Sequence, residues 1–468
     1  MHIVIVGAGN TGTQLAKYLI NEKHDVSIIE SNEYRAKHAS NRLDCIVVHN
    51  SGNDLSALKN SGITKADALV CVTESDEINM IICGLATSQL TNKSGKLLKI
   101  ARVRNVDYLN LGHFDGNNVL GIDYLIHPGM EVAHSIIKAI EHGVIGEIYS
   151  FSDTPYEMGS IDIGEGSAMD GLSLVDYRNL VTYESLVTLV ERGDEVMLPS
   201  GSTVLKSGDH IHILADGKYL PDIYKIAGDV QKPIRKIGIV GGGELGSLIA
   251  EGLLNKNDNR FSLLKFLSLK NQRIVIIEQD AKLCGELAAR FPSALILNED
   301  ISDESFVNEE ELDDLDCLIT TTANEDLNII TAIFMKSRGI KRTIAIVAGS
   351  GHAAMARHLG VDVVIPMPMV VVDSIYSKLM GSGIKEVRSL GNGKVDLIEI
   401  EIGENASVID KPISAFRLSS GGLLLLVNRG DESFIPKGGY VFKEGDRIVL
   451  IAGTGSKAEI EKYFNTGN

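Results

Sequence analysis

Over the first 120 or so residues, short apolar runs alternate with longer amphipathic ones. HIVIV (2–6), DVSIIE (25–30), CIVVH (45–49), ALVCV (68–72), KIARV (99–103) and YLIHP (124–128) have strand length and are rich in β-branched residues. Between them TGTQLAKYLI (11–20), DLSALKNSG (54–62) and DEINMIICGLATSQL (76–90) read as helices. Strands alternating with helices of this length predict a parallel sheet covered on both faces. The near-continuous apolar strands fit burial on both sides. After about residue 140 glycines and turn dipeptides become dense. Short alternating strands take over, as in YEMGSIDI (156–163), VTLVERGDEVMLP (187–199) and HIHILA (210–215). This predicts a small α+β domain ending near residue 228, followed by a polar linker, DVQKPIRK (229–236).

The pattern then restarts. KIGIVGGGELG (236–246) matches HIVIVGAGNTG (2–12), and RIVIIE (273–278) matches DVSIIE. CLITTTANEDLNIITAIF (317–334) matches ALVCVTESDEINMIICGL (68–85), and VDVVIPMPMVVVDSI (361–375) matches IDYLIHPGMEVAHSI (122–136). VNRGDESFIPKGGYVFKEGDRIVLIA (427–452) matches VERGDEVMLPSGSTVLKSGDHIHILA (190–215). Matched segments in the same order define a tandem duplication. The expected fold class is α/β: a Rossmann-like parallel-sheet domain followed by a small α+β domain, twice over. The expected boundaries are 1–140, 141–228, 234–380 and 381–468. The second copy carries an insertion, NKNDNRFSLLKFLSL (255–269), and is shorter ahead of VDVVIP.

Candidate chemistry gathers at the glycine loops. GAGNTG places Gly7, Gly9 and Gly12 between a strand and a helix, with Ala8, Asn10 and Thr11 completing the loop. The first glycine of such a loop makes the tight turn, the second lets a phosphate approach, and the third lets helix and strand pack. Free N–H groups at the helix N-terminus then hold a pyrophosphate. Glu30 closes the second strand, where an acid binds the ribose hydroxyls of a dinucleotide and repels a 2′-phosphate, so NADP is disfavoured. The alternative is a loop that keeps its glycines for packing alone. Asn50, Ser51 and Gly52 follow the third strand, and Thr73 and Glu74 the fourth, so all can line the same crevice. For Asp76 and Glu77 the preference of a helix N-terminus for acids is sufficient reason. Arg102 and Arg104 share a strand face and suit either phosphates or a structural ion pair.

In the second copy the loop is Gly241, Gly242, Gly243, Glu244, Leu245 and Gly246, and the acid is Glu278. Thr322 and Ala323 replace Thr73 and Glu74, while Ile346 and Ala348 replace the two arginines. With fewer cations, this crevice is expected to bind nucleotides more weakly, or to prefer NAD over ATP.

Composition narrows the classes. A formal charge of −17 argues against nucleic acid and against a direct grip on anionic lipid, and suits a basic protein partner. No window approaches the ~18 apolar residues of a membrane span, and no signal-peptide pattern precedes the first strand, so a cytoplasmic location is expected. The five cysteines have neither disulfide-framework nor zinc-site spacing, and Cys71 and Cys317 read as buried small hydrophobes. No Walker A sequence, nucleophile elbow or acid–base constellation occurs, so no catalytic residue and no metal ligand is assigned. His210 and His212 read as sheet-surface residues. A NAD-dependent oxidoreductase with duplicated Rossmann domains is the alternative, but hydride transfer gives no reason to repeat the whole architecture.

GAGNTG, Glu30, TESDEINMIIC (73–83), IARVRN (100–105) and the RGD…P…GD pattern of the small domains together resemble the RCK family, regulators of potassium conductance. The resemblance spans both halves, and its tandem form is similar to the subunits of Trk potassium uptake systems. It implies that Gly7 to Thr11, Glu30, Thr73, Glu74 and Arg102 contact NAD(H) or an adenine nucleotide, ATP or ADP. Gly241 to Leu245 and Glu278 would be their counterparts. It further implies a non-enzymatic, cytoplasmic regulatory subunit that reaches the membrane only through a Trk-type transporter partner and does not bind potassium itself. Four chains would complete a ring of eight lobes beneath the pore. Two departures stand out: HNSGND (49–54) and NEDISD (298–303) replace a frequent Gly-Asp pair, and the insertion before RIVIIE is atypical.

Overall fold

The structure, a computed structural model, describes the chain apart from residues 90–96, 110–118, 142–147, 152–153, 194, 229–233, 255–271, 304–311, 380–383, 392, 417, 419–420, 431 and 465–468. The insertion at 255–269 and most of the linker therefore lie outside the described residues.

Strands β1 (His2–Val6), β2 (Asp25–Glu30), β3 (Ile46–His49), β4 (Ala68–Cys71), β5 (Leu98–Arg102) and β6 (Tyr124–Ile126) form one sheet in the order β3-β2-β1-β4-β5-β6. All its pairings are parallel. The order reverses between β1 and β4, which opens a crevice at their carboxyl ends. β1 and β4 are buried almost throughout because helices cover both faces. A five-stranded antiparallel sheet follows, of β7 (Ile148–Ser150), β8 (Tyr156–Asp162), β9 (Ser185–Arg192), β10 (Glu195–Met197) and β11 (His210–Asp216), in the order β10-β9-β11-β8-β7.

The second copy repeats both sheets. β12 (Lys236–Val240), β13 (Arg273–Glu278), β14 (Leu295–Asn298), β15 (Cys317–Thr320), β16 (Arg342–Val347) and β17 (Val363–Pro366) run β14-β13-β12-β15-β16-β17, again parallel. β18 (Ile384–Leu390), β19 (Val395–Glu401), β20 (Gly422–Arg429), β21 (Glu432–Phe434) and β22 (Arg447–Gly453) reproduce the small antiparallel sheet with the same strand order. The duplication read from the sequence is thus present in the fold.

The two copies are interlocked. The helix Pro128–Glu141, which leaves the first parallel sheet, buries Val132, Ala133, Ile136, Ile137 and Ile140 in the core of the second lobe, against Leu245, Leu248 and Ile249. In return the helix Met367–Leu379 buries Val371, Val372, Ile375, Tyr376 and Leu379 in the core of the first. Each amphipathic crossover helix hides its apolar stripe in the opposite copy. Tyr376 stacks edge-on against Tyr18, whose hydroxyl donates to Asp396 of the second small domain at 3.2 Å. The small sheets also meet, through Tyr149, Phe151, Leu189 and Leu214 on one side and Leu390, Leu425 and Ile451 on the other.

Candidate functional site: two nucleotide cradles

In the first lobe Gly7 has φ +107°, and a Cβ there would lie 3.2 Å from the Val72 and Thr73 backbone. A Cβ on Gly12 would come within 1.9 Å of the Gly7 carbonyl oxygen. These two glycines have structural reasons to be glycine. Gly9 does not: its φ is −71°, and a Cβ would find only an Arg35 Nη1 at 4.0 Å. Gly9 is also the N-cap of the helix Asn10–Asn21 and offers no side-chain cap, so the first-turn N–H groups keep their donor capacity. Packing explains the outer glycines, while the middle one has open space before it.

The second loop follows the same logic. Gly241 has φ +97°, a Cβ on Gly246 would meet the Gly241 oxygen at 1.9 Å, and a Cβ on Gly243 would meet nothing within 4 Å. Thr11 and Leu245 are buried behind their loops. A hydroxyl closes each loop from behind: Thr13 Oγ1 donates to the Ala8 carbonyl at 3.1 Å, and Ser247 Oγ to that of Gly242 at 2.9 Å.

The acid at the end of the second strand is buried in the first lobe and partly buried in the second. Glu30 accepts the Ala8 N–H at 2.6 Å and the Asn32 N–H at 2.7 Å, while Glu278 accepts those of Gly242 at 2.8 Å and Asp280 at 2.9 Å. Each carboxylate ties glycine loop to strand end and retains acceptor sites for a sugar hydroxyl.

The floor at the end of β4 is set by a buried asparagine that the sequence reading missed. Asn79 Oδ1 accepts from the Thr73 N–H at 2.9 Å and the Thr73 hydroxyl at 2.7 Å, and its amide donates to the carbonyls of Thr73 and Arg102. Asn328 repeats all four bonds to Thr322 and Ile346. The retention of Asn at the same place in both copies was the signal that could have found it. Asp76 does more than sit at a helix N-terminus, since its carboxylate accepts the Arg104 and Asn105 N–H groups, both at 2.8 Å.

The remaining candidates fall at different distances from this centre. Asn50 is committed to a local turn, accepting from Ser51 N–H and donating to Asp54, and Gly52 is needed for packing because a Cβ would strike Val6 at 2.3 Å. Glu74 stands at the mouth, bonded at 3.1 Å to Arg35, a cation the sequence reading did not single out. The second lobe has neither, with Leu283 and Ala323 at the matched places.

Arg102 is half-buried, with its Nε buried and without a hydrogen-bond partner. Burial, and then Arg104, lowers the pKa of its guanidinium, against the pull of Asp76, Glu74 and Glu244. Glu244 belongs to the second lobe's glycine loop, yet its Oε1 lies 3.4 Å from Nε2 of the buried His127 in the first lobe. The lobes therefore meet beside a cradle, and a residue expected to serve its own loop contacts the neighbouring one.

Two glycine cradles, each with an acid at the tip of its second strand and each followed by an antiparallel domain, define a duplicated Rossmann-like class of fold. The TrkA-N domain family matches residues 3–128 and 237–367, the TrkA-C domain family matches 158–228 and 397–465, and the chain belongs to this TrkA-N/TrkA-C family. It is 28% identical over 466 residues to a Methanosarcina mazei protein named Trk system potassium uptake protein TrkA homolog 1, covering 99% of this chain and 100% of the relative. It is 25% identical to the Trk system potassium uptake protein TrkA of Haemophilus influenzae, covering 99% and 98%. Among solved structures, the GsuK RCK domain superposes with TM-score 0.58 at 16% identity, over 100% of this chain and 95% of that one. The GsuK channel bound to NAD superposes with TM-score 0.57 at 16% identity, over 100% and 79%. The family resemblance read from the motifs is thereby shown.

Proposed function

We propose that this chain is a nucleotide-responsive regulatory subunit of a Trk-type potassium uptake transporter, not an enzyme. The observation that carries the reading is the open middle glycine of each cradle beside a carboxylate fixed at the tip of the second strand. NAD(H) is the primary ligand and ATP or ADP the competing ones. In this reading Gly7 to Thr11, Glu30, Thr73, Glu74 and Arg102 line the first site, and Gly241 to Gly246 with Glu278 the second. The names of the full-length relatives and the NAD-bound channel neighbour support it. Nucleotides act by differential affinity for two arrangements of the paired lobes, and a few kcal/mol suffices to move such an equilibrium.

Assembly is part of the proposal. Ile81 and Ile330 occupy matched places on the helices Asp76–Gln89 and Glu325–Ser337, and are 50% and 64% exposed. Apolar residues exposed at the same place in both copies fit contacts between chains in a homotetrameric ring. Such a ring would lie on the cytoplasmic face of the membrane, held there by its transporter partner. No described helix is long and apolar enough to cross a bilayer.

Calorimetry with NAD, NADH, ATP and ADP on the full chain tests the reading. Gly9→Val and Gly243→Val are the site controls, because both positions have room for a side chain and each variant should fold like the parent. Gly9→Val should weaken the tighter event at least about tenfold, or 1.4 kcal/mol. A parent chain that binds none of the four nucleotides would sink the proposal. Light scattering should show a tetramer that Ile81→Asp with Ile330→Asp reduces in mass.

A further inference from the structure

The first small domain gathers a set of donors that the nucleotide site does not use. His210 lies directly across from Glu191 on β9 and from Asp162 on β8 in the strand register. His212 is two residues on, so all four side chains project from one face of the sheet. His212 Nε2 is 2.9 Å from Glu191 Oε1, and His210 Nδ1 is 2.7 Å from Asp162 Oδ1. One ligand atom each from Glu191, His210 and His212 lies within 4.8 Å of the others. His212 is 2% exposed, which corrects its expected place on the sheet surface.

We propose that Glu191, His210 and His212 form a binding site for a divalent transition metal of the zinc class, with Asp162 as the orienting partner of His210. Two imidazoles and a carboxylate are a donor set that zinc accepts, leaving a fourth position for water. In a tetrahedral shell with bonds of about 2.0–2.1 Å the ligand atoms stand about 3.3 Å apart, so the His212–Glu191 pair would open slightly while wider pairs close in. The Asp162–His210 hydrogen bond has the form that fixes a metal-binding ring: a carboxylate accepts from Nδ1–H and leaves Nε2 as the ligand. Nδ1 of His212 is buried without a hydrogen-bond partner, while Nε2 faces Glu191.

Charges around the cluster come from both copies. Burial opposes ionisation of Glu191, but His212, His210 and Arg357 of the second lobe hold its pKa below the ordinary range. The exposed Asp162 is also held below the ordinary carboxylate range, by His210 and by Lys336 of the second lobe. Lys336 is itself paired with Asp362. Arg357 and Lys336 thus bring charge of the second parallel-sheet lobe within electrostatic reach of the cluster. The second copy has no such set: Asn428, Arg447 and Val449 stand at the matched positions, and Arg447 pairs with Glu401 at 3.7 Å.

The test uses the full chain, stripped with chelator and titrated with Zn²⁺ by calorimetry, with Co²⁺ as an absorbing probe. One saturable event per chain is expected. His212→Val should weaken it at least about tenfold, and Asp162→Asn by about 10–100-fold. The triple variant Glu191→Asn, His210→Arg, His212→Val carries residues that the second small sheet already accommodates, so it controls for folding. Absence of saturable zinc binding by the parent chain overturns the proposal. So does an event of unchanged affinity in the triple variant, which would belong to the free thiols.

Discussion

A methyl group at Gly242 would come 2.3 Å from Leu287 Cδ1, yet the first lobe carries that methyl as Ala8 and has Ala39 where Leu287 stands. One cradle fills the space from the loop and the other from the helix Ala281–Arg290. Gly242→Ala should therefore cost about 1–3 kcal/mol by overpacking. Leu287→Ala alone should cost about 2–5 kcal/mol by leaving a cavity. The double variant should be more stable than the sum of the two, by a coupling of about 0.5–3 kcal/mol in denaturant unfolding. Simple additivity would contradict this account. At this scale the glycine spacing and both strand-tip acids were legible, because their causes are local to loop and strand. Arg35 and the Glu244–His127 contact were not, because they depend on which segments the fold brings side by side.

Between elements, the RGD…GD pattern becomes an ion pair with a definite job. Arg192 makes two bonds of 2.7 Å to Asp209 and also donates to the Val204 carbonyl, while Arg429 repeats the arrangement with Asp446 and Val441. Asp209 is almost wholly buried and also accepts the Lys206 N–H. The motif could be seen in the sequence, but its two ends meet only because β9 pairs with β11, so its role could not. Burial opposes the charge on Asp209, yet Arg192 and the Lys206 N–H together hold its pKa below the usual carboxylate range. Its contribution to stability is therefore full above the unfolded value, about 3.9, and is lost as pH falls through the depressed folded value. Asp209→Ala should lower stability at neutral pH by about 1.5–3 kcal/mol. The gap from the parent should narrow in the acid limb of a pH series of urea midpoints. A gap that stays constant down to the lowest pH would contradict the assignment.

For the whole molecule, the sequence repeat announced two copies but not their interlocking, since an amphipathic helix shows that it needs a partner without showing which one. The same exchange removes half-chains as simple probes of each cradle. Residues 1–228 alone would expose the stripe Val132, Ala133, Ile136, Ile137 and Ile140, and would lose Tyr376 and its neighbours from the first core. That half should dimerise or aggregate, whereas halves 1–228 and 234–468 expressed together should purify as a one-to-one pair. A folded monomer of 1–228 in the ultracentrifuge would refute this reading.

Because the exchanged helices belong to one polypeptide, the contact between lobes is a unimolecular equilibrium. Two separate chains paired in this way would drift apart on dilution, but a tethered pair keeps the high effective concentration its linker sets. The lobes should therefore stay paired however far the protein is diluted.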